Sequence, residues 1–272
     1  PKYLHRYDEG WFGNLDCRSM KVDVKETILF AISRYDYAYA YKLAERAGSS
    51  VQSDLVRFLE ALAERRELNI QSMMNLKLEI TGSDLADFQL FYHENEADEQ
   101  LVNYLYDLEA KLRNEQLIDF IRAVSPAIYR IFMRLIRMQI PDIESYIHNS
   151  RGASYDRWKF EKMRHSDNPD LQNFHAESTV NSSSLTELIL QLNLPESVKE
   201  SAQQLRELEK SVRNPLAHLI KPFDEEELHR TTGFSSQHFM ALLVDLAQET
   251  GIVYQSEPFY FDRANAVIES LL

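Results

Sequence analysis

The sequence PESVKESAQQLRELEKSVRNPLAH, residues 195–218, indicates which kind of fold the chain adopts. Apolar side chains recur in it at the spacing of one face of an α-helix. These side chains belong to Val198, Ala202, Leu205, Leu208 and Val212. The same periodicity occurs in segments along the chain, so the sequence predicts an all-α fold. The one exception that we expect is a short C-terminal β-hairpin between residues 252–254 and 259–261.

Pro215 is the residue at which the helix of this stretch is expected to end or kink. Proline cannot donate a backbone hydrogen bond, and it disfavours helical geometry at the preceding residue. Asn214 is then expected to cap a second short helix that has Pro215 at its first position. This arrangement would place Arg213, Asn214 and His218 around a helix N-terminus, where backbone N–H groups favour a phosphate.

Arg213 and His218 together suit the cleavage of RNA by its own 2′-hydroxyl. An arginine offers a fixed fork of donors to phosphate oxygens, and a histidine exchanges a proton near neutral pH. The base removes the 2′ proton, the arginine holds the crowded phosphorane, and an acid protonates the leaving 5′-oxygen. This chemistry requires no metal. Spacing alone leaves an alternative open, in which Arg213 is a surface ion-pair partner and His218 a half-buried packing residue.

In-line cleavage requires an acid and a base on opposite sides of the phosphate, and one chain supplies a single copy of the arginine and histidine. A two-fold dimer that brings two copies together provides both groups. Dimers of this symmetry are the commonest oligomers. The sequence therefore predicts a homodimer with a composite site.

The string Arg213-Asn214-Pro215-Leu216-Ala217-His218 resembles the R-x4–6-H signature of the HEPN superfamily of helical ribonucleases. With Asn after the Arg and Ala before the His, it is most similar to the Csm-type CARF–HEPN ancillary ribonucleases of type III-A CRISPR systems. A weaker similarity lies upstream, where Asp36-Tyr37-x-x-Ala40-x-x-Leu43 resembles the helical segment that follows the sensor domain in these proteins.

The resemblance implies a dimeric, metal-independent endoribonuclease that cleaves single-stranded RNA in antiviral defence. It makes Arg213 and His218 catalytic and gives Asn214 a supporting role. It also implies a helical-bundle HEPN domain over residues 119–272, preceded by a helical linker domain over residues 1–118. No metal, cofactor or DNA partner is expected. Two alternatives stay open, namely a non-catalytic helical dimerisation or binding module and the toxin of a toxin–antitoxin pair.

Relatives of this kind also carry an N-terminal Rossmann-like sensor that binds cyclic oligoadenylate. The start of this sequence shows no alternation of strands and helices and no Gly-rich turn, and there are only 7 Gly in the whole chain. We therefore expect that the sensor domain is absent from this chain. Cyclic oligoadenylate would then act only through a domain that the chain lacks.

The composition of the chain excludes several classes of protein. A chain of 272 residues that is 44% hydrophobic can bury a core, so global disorder is not expected. Cys17 is the single cysteine, which excludes an intrachain disulfide and a zinc site built on several thiolates. We find no apolar run of membrane-spanning length and no secretion segment, so we expect a cytoplasmic protein.

Candidate RNA-binding residues follow from the distribution of charge. The net charge is −13, which argues against RNA binding over the whole surface. Lys199, Arg206 and Lys210 form one basic stripe on the predicted helix that leads to Arg213. Such a stripe can follow an RNA backbone.

A second candidate surface lies in the polar, weakly periodic residues 149–183. Trp158 and Lys159 stand there among several basic residues, and interleaved aromatic and basic side chains can hold single-stranded RNA. The alternative is that Trp158 anchors this loop on the core.

The remaining helix boundaries follow from caps, prolines and apolar spacing. A tyrosine-rich helix is predicted over residues 22–46, where packing is the preferred role of the tyrosines. A long helix is predicted over residues 98–123, and Ser125-Pro126 is a start signal for the next one. Asp262 is expected to cap the last helix.

Overall fold

The computed structural model describes residues 23–80, 85, 87–148, 156–218 and 223–272, with only the helical backbone for residues 77–80 and 213–218. These residues form thirteen α-helices and one two-stranded sheet. The helices are α1 (Val24–Ser33), α2 (Tyr37–Ala47), α3 (Ser53–Arg66), α4 (Ile70–Ile80), α5 (Glu96–Arg113), α6 (Leu117–Gln139), α7 (Phe160–Arg164), α8 (Pro169–Gln172), α9 (Ser182–Gln191), α10 (Glu196–His218), α11 (Glu225–Thr232), α12 (Ser236–Glu249) and α13 (Tyr260–Leu271). The predicted all-α fold is confirmed.

The sheet lies in the middle of the chain, where β1 (Ile147–His148) pairs antiparallel with β2 (Arg157–Trp158). The predicted C-terminal hairpin is wrong, because residues 252–255 form no strand and residues 260–261 begin α13. Two backbone N–H groups of that segment find side-chain acceptors instead of a strand partner. The N–H of Val253 donates to His93 Nε2 at 3.1 Å, and the N–H of Gln255 donates to the Tyr106 hydroxyl at 3.1 Å.

Helix α6 is the centre of the fold, because it packs against α5, α9, α10 and α12. Its inward face is almost fully buried, with each of the following side chains at most 1% exposed: Ile128, Ile131, Phe132, Leu135 and Ile136. None of the helices in the described part of the chain is long and apolar enough to cross a lipid bilayer.

The break before α6 lies earlier than the sequence predicted. Helix α5 ends at Arg113, Glu115 adopts a left-handed φ of 60°, and α6 then runs through Pro126 without interruption. The prediction of a helix start at Ser125-Pro126 is therefore wrong. Pro126 is exposed, and so is Arg122, whose carbonyl loses its helical donor and can bind water instead.

The tyrosine-rich segment is helical but divided. Tyr35 adopts a φ of 55° between α1 and α2, so the single helix predicted over residues 22–46 is two helices. Tyr35 and Tyr37 are buried against the ring of Phe261, which confirms packing as the role of these two side chains.

Asp262 does not cap the last helix, contrary to the prediction, because Phe259 holds that position. The Asp262 carboxylate instead accepts hydrogen bonds from the Tyr35 hydroxyl at 2.8 Å and from Arg113 at 3.0 Å. This aspartate therefore connects α13 to the α1–α2 corner and to the end of α5.

Buried tyrosines make the fold sensitive to alkali. Burial, aided by the neighbouring Asp262 carboxylate, raises the pKa of Tyr35 to about 12, and burial raises the pKa of Tyr260 to about 12. An unfolded tyrosine titrates near pH 10. These side chains therefore contribute fully to the free energy of unfolding below about pH 10. Their contribution is lost as the pH rises towards about 12.

We expect the free energy of unfolding to fall between about pH 10 and 12, with each such tyrosine adding a slope of up to about 1.4 kcal/mol per pH unit. Urea unfolding followed by circular dichroism at several pH values measures this slope. The Tyr35→Phe variant removes one titrating group and should give a shallower decline. A stability that stays constant up to about pH 11 would contradict the expectation.

Candidate active site

The motif that suggested RNA cleavage lies in the last turns of α10, which is continuous from Glu196 to His218. The prediction that Asn214 caps a new helix is wrong, and the helix does not end at Pro215. Pro215 removes only one hydrogen bond, the one to the carbonyl of Ser211, and Ser211 is partly exposed. The helix continues for three residues after Pro215. The side chains of Arg213, Asn214 and His218 lie outside the described part of the structure.

This continuity reverses the electrostatics that the sequence suggested. The motif occupies the C-terminal end of a long helix, where the backbone presents carbonyl groups and a partial negative charge. Within the described residues, the end of α10 offers a phosphate no free backbone N–H groups of a helix N-terminus. Cationic side chains are therefore the groups that can bind it there.

The apolar face predicted for α10 is confirmed and fixes the helix on the bundle. Its members are at most 4% exposed, namely Val198, Ala202, Leu205, Leu208 and Val212. The helix packs with this face against α6, α9, α11 and α12.

Glu209 is a buried charge in this face, one helical turn before Arg213, and its side chain is only 4% exposed. One carboxylate oxygen accepts a hydrogen bond from the Ser125 hydroxyl of α6 at 2.6 Å. The other accepts from the Ser182 hydroxyl at the start of α9 and lies 3.4 Å from an Arg206 nitrogen. This network links three helices directly below the motif.

Sequence reasoning did not single out Glu209. The spacing held a signal, however. Glu209 follows Leu205 by four residues and precedes Val212 by three, so it lies inside the apolar stripe. A carboxylate within such a stripe must be paired or hydrogen-bonded, as it is here.

The basic stripe along α10 is only partly free to bind an anion. Lys210 is exposed and Lys199 is partly exposed, and neither forms an ion pair within the part of the chain that the structure describes. The side chain of Arg206 is 22% exposed and already contacts Glu209. The two lysines are thus the stronger RNA-binding candidates.

The structure contradicts base stacking by Trp158 and supports the alternative that it anchors its loop. Trp158 is 5% exposed, its indole N–H donates to the Ser184 hydroxyl at 3.1 Å, and its ring meets Phe174 edge to face. The Lys159 ammonium donates to the Ser145 carbonyl at 3.2 Å, so it too serves the local fold.

An acidic groove of about 1220 Å³ opens between the α5–α6 junction and α11–α12. Its lining holds seven carboxylates and a single guanidinium, that of Arg113. The carboxylates belong to Glu109, Glu115, Asp119, Asp224, Glu225, Asp245 and Glu257. In the described residues, no three His, Cys, Asp or Glu side chains are grouped so that they could hold a metal ion.

The family model for the Cas_Csm6 HEPN domain matches residues 90–269, which include the whole of α10. The chain belongs to this family. The resemblance to CRISPR-associated HEPN ribonucleases is thereby confirmed. Comparison with curated proteins gave no match.

Among solved structures, the chain is similar to Enterococcus italicus Csm6 bound to cyclic hexa-2′-fluoro-hexa-dAMP. The TM-score is 0.59 at 15% identity, and the match covers 92% of this chain and 57% of the other. At this identity the likeness concerns the fold alone. The chain spans a little more than half the length of that Csm6 structure.

We expect Glu209→Ala to lower the free energy of unfolding by about 3 kcal/mol, because two hydroxyls and Arg206 lose a buried acceptor. Glu209→Gln keeps one acceptor oxygen and should lose less. Glu207→Ala, an exposed change on the same helix, is the matched control and should alter stability by less than about 0.5 kcal/mol. Equal stabilities of Glu209→Ala and Glu207→Ala in urea unfolding would contradict a structural role for the network.

Proposed function

We propose that this chain is the ribonuclease part of a CRISPR-associated protein and cleaves single-stranded RNA without a metal ion. The observation that carries the proposal is the Arg213-Asn214-x-x-x-His218 motif at the end of α10, within the segment matched by the Cas_Csm6 HEPN family model. In this proposal Arg213 and His218 are catalytic and Asn214 supports them.

The chemistry is an attack of the 2′-hydroxyl on the adjacent phosphate. A histidine takes the 2′ proton, the O2′–P bond forms, and the bond between phosphorus and the 5′-oxygen breaks. An acid protonates the leaving 5′-oxygen, so the products carry a 2′,3′-cyclic phosphate and a 5′-hydroxyl. Arg213 stabilises the charge on the phosphorane, a contribution that typically changes a rate by about 10²–10³.

The register of α10 supports a composite site formed by two copies of the chain. On one continuous helix, positions 213 and 218 differ by roughly 140° around the axis and by about 7.5 Å along it. An acid and a base on opposite sides of one phosphate are therefore difficult to supply from a single copy. We propose a homodimer in which the ends of two α10 helices face each other.

The distribution of charge supports one path by which RNA approaches the motif. The lining of the acidic groove includes Phe223, five residues after the motif, and the carboxylates of the groove repel a polyanion. Lys199 and Lys210 are accessible on the outer side of α10. We propose that the RNA approaches along these lysines and avoids the acidic groove.

We propose that cyclic oligoadenylate activates the full-length protein through a sensor domain. The similar Csm6 structure is described as bound to cyclic hexa-2′-fluoro-hexa-dAMP, a molecule of this class. No cofactor is part of the proposed reaction.

The test of catalysis is the double variant Arg213→Ala with His218→Ala. We expect cleavage of an unstructured, fluorescently labelled RNA in EDTA to fall by at least about 10²-fold, because both the charge stabiliser and the proton carrier are lost. The control combines Arg122→Ala with His229→Ala, which removes the same residue types from exposed positions on α6 and α11. Undiminished cleavage by the motif variant in EDTA would refute the proposed site.

The test of the composite site is the dependence of activity on protein concentration. Specific activity should rise with concentration in parallel with the dimer fraction measured by sedimentation, because a monomer holds half of the site. Adding an excess of the Arg213→Ala, His218→Ala variant should reduce wild-type activity by forming mixed dimers. Full activity of a demonstrated monomer would contradict the proposal.

A further inference from the structure

A second groove, of about 660 Å³, lies between α5, α6 and β1. Its walls include Tyr104 of α5 and Tyr129, Arg130 and Met133 of α6. Pockets of this volume typically hold small ligands between apolar walls with a few polar groups.

Most of the charges around this second groove are already compensated. Arg134 pairs with Asp98 and also donates to Thr250, and Arg137 pairs with Glu144. Arg130 and Asp156 are the exceptions, because neither forms an ion pair within the described residues. Arg130 is exposed and Asp156 is partly exposed. The groove therefore offers one guanidinium for an anionic group and one carboxylate that can accept a hydrogen bond from the same ligand.

The remaining carboxylate in the lining, that of Asp156, accepts a hydrogen bond of 3.5 Å from the Tyr129 hydroxyl. The Tyr104 hydroxyl donates to the carbonyl of Ala123 at 2.7 Å, which fixes this side chain in the wall. Neither Tyr104 nor Tyr129 takes part in a ring–ring contact among the described residues. Two half-buried aromatic rings thus border the groove without an aromatic partner from the protein.

The second groove is lined by α6, the helix that also contacts the helix carrying the motif. Ser125, the residue before the groove-lining Pro126, bonds to Glu209 of α10, and Arg213 follows Glu209 by one turn. Arg130 follows Ser125 by about 7.5 Å along α6. Because Arg130 is also rotated by roughly 140° from Ser125 around the axis of α6, a strand bound at the end of α10 has to pass around α6 to enter this groove.

We propose that the second groove binds one nucleotide of the single-stranded RNA, away from the phosphate that is cleaved. The base packs against Tyr104 and Tyr129, and the singly charged phosphodiester binds Arg130. A planar base next to aromatic side chains and a phosphate at an arginine are the contacts by which proteins hold single strands. This inference rests on the proposed function for the identity of its ligand.

Binding of a labelled, 2′-O-methylated single-stranded oligoribonucleotide, measured by fluorescence anisotropy at several salt concentrations, tests the proposal. Such RNA cannot be cleaved by 2′-hydroxyl attack, so the readout is independent of catalysis. Arg130→Ala should weaken binding and reduce the slope of log K against log salt by about 0.7. Tyr129→Ala should weaken binding about tenfold with an unchanged slope, because stacking is lost and no charge changes.

The matched control is Arg122→Ala, which removes an exposed arginine from the same helix outside the groove and should leave affinity and slope unchanged. An equal change of slope in Arg122→Ala and Arg130→Ala would show diffuse attraction and overturn the proposal. Wild-type affinity of a folded Tyr129→Ala variant would overturn it as well.

Photocrosslinking of wild-type protein with 4-thiouridine RNA gives a result that does not depend on the stability of a variant. Crosslinks at Tyr104 or Tyr129 support the proposal, and crosslinks confined to residues outside the second groove refute it. In cleavage assays, Tyr129→Ala should raise KM and leave kcat unchanged. If the Arg213→Ala, His218→Ala variant loses cleavage but still binds the 2′-O-methylated RNA, the catalytic site and the second groove are distinguished. Cleavage and binding are measured in separate assays.

Discussion

The ion pair between Arg65 of α3 and Glu99 of α5 is the interaction on which the arrangement of the helices most depends. Both side chains are at most 1% exposed, and they meet at 2.5 Å. The guanidinium also lies over the rings of Tyr106 and Tyr260, and the second Glu99 oxygen accepts the N–H groups of Tyr92 and His93. A buried charge left without its partner typically costs about 3–5 kcal/mol, so this arrangement tolerates little displacement.

This ion pair joins a helix that precedes the segment matched by the family model to a helix within that segment. Arg65 precedes the segment matched by the HEPN family model, and Glu99 lies within it. Helix α13 makes a second connection of this kind, because Asn265 accepts a hydrogen bond from the Tyr37 hydroxyl and donates to the carbonyl of Ile32. The helices before residue 90 therefore share one core with the HEPN helices. The division at residue 118 remains a prediction.

The sequence predicted those features that depend on local periodicity. The apolar stripe of α10 is buried as expected, because helical spacing alone determines which side chains share a face. The chain reversals at Tyr35 and Glu115 were missed, since neither position carries a Gly or Pro signal. Pro126 and Pro215 led to wrong helix boundaries, although each is a breaking signal. A helix tolerates the missing hydrogen bond where the carbonyl that loses its donor belongs to an exposed or partly exposed residue.

The motif itself was recognisable in the sequence, but its electrostatic surroundings were not. The roles of Trp158 and Glu209 depend on Ser184, Ser125 and Ser182, which the chain brings from other helices and which no spacing rule identifies. Position on the helix has a further consequence for the chemistry. A helix C-terminus carries a partial negative charge and disfavours a phosphate. In the proposed site, the affinity for the phosphate therefore depends on Arg213 and Lys210, because the end of α10 contributes none.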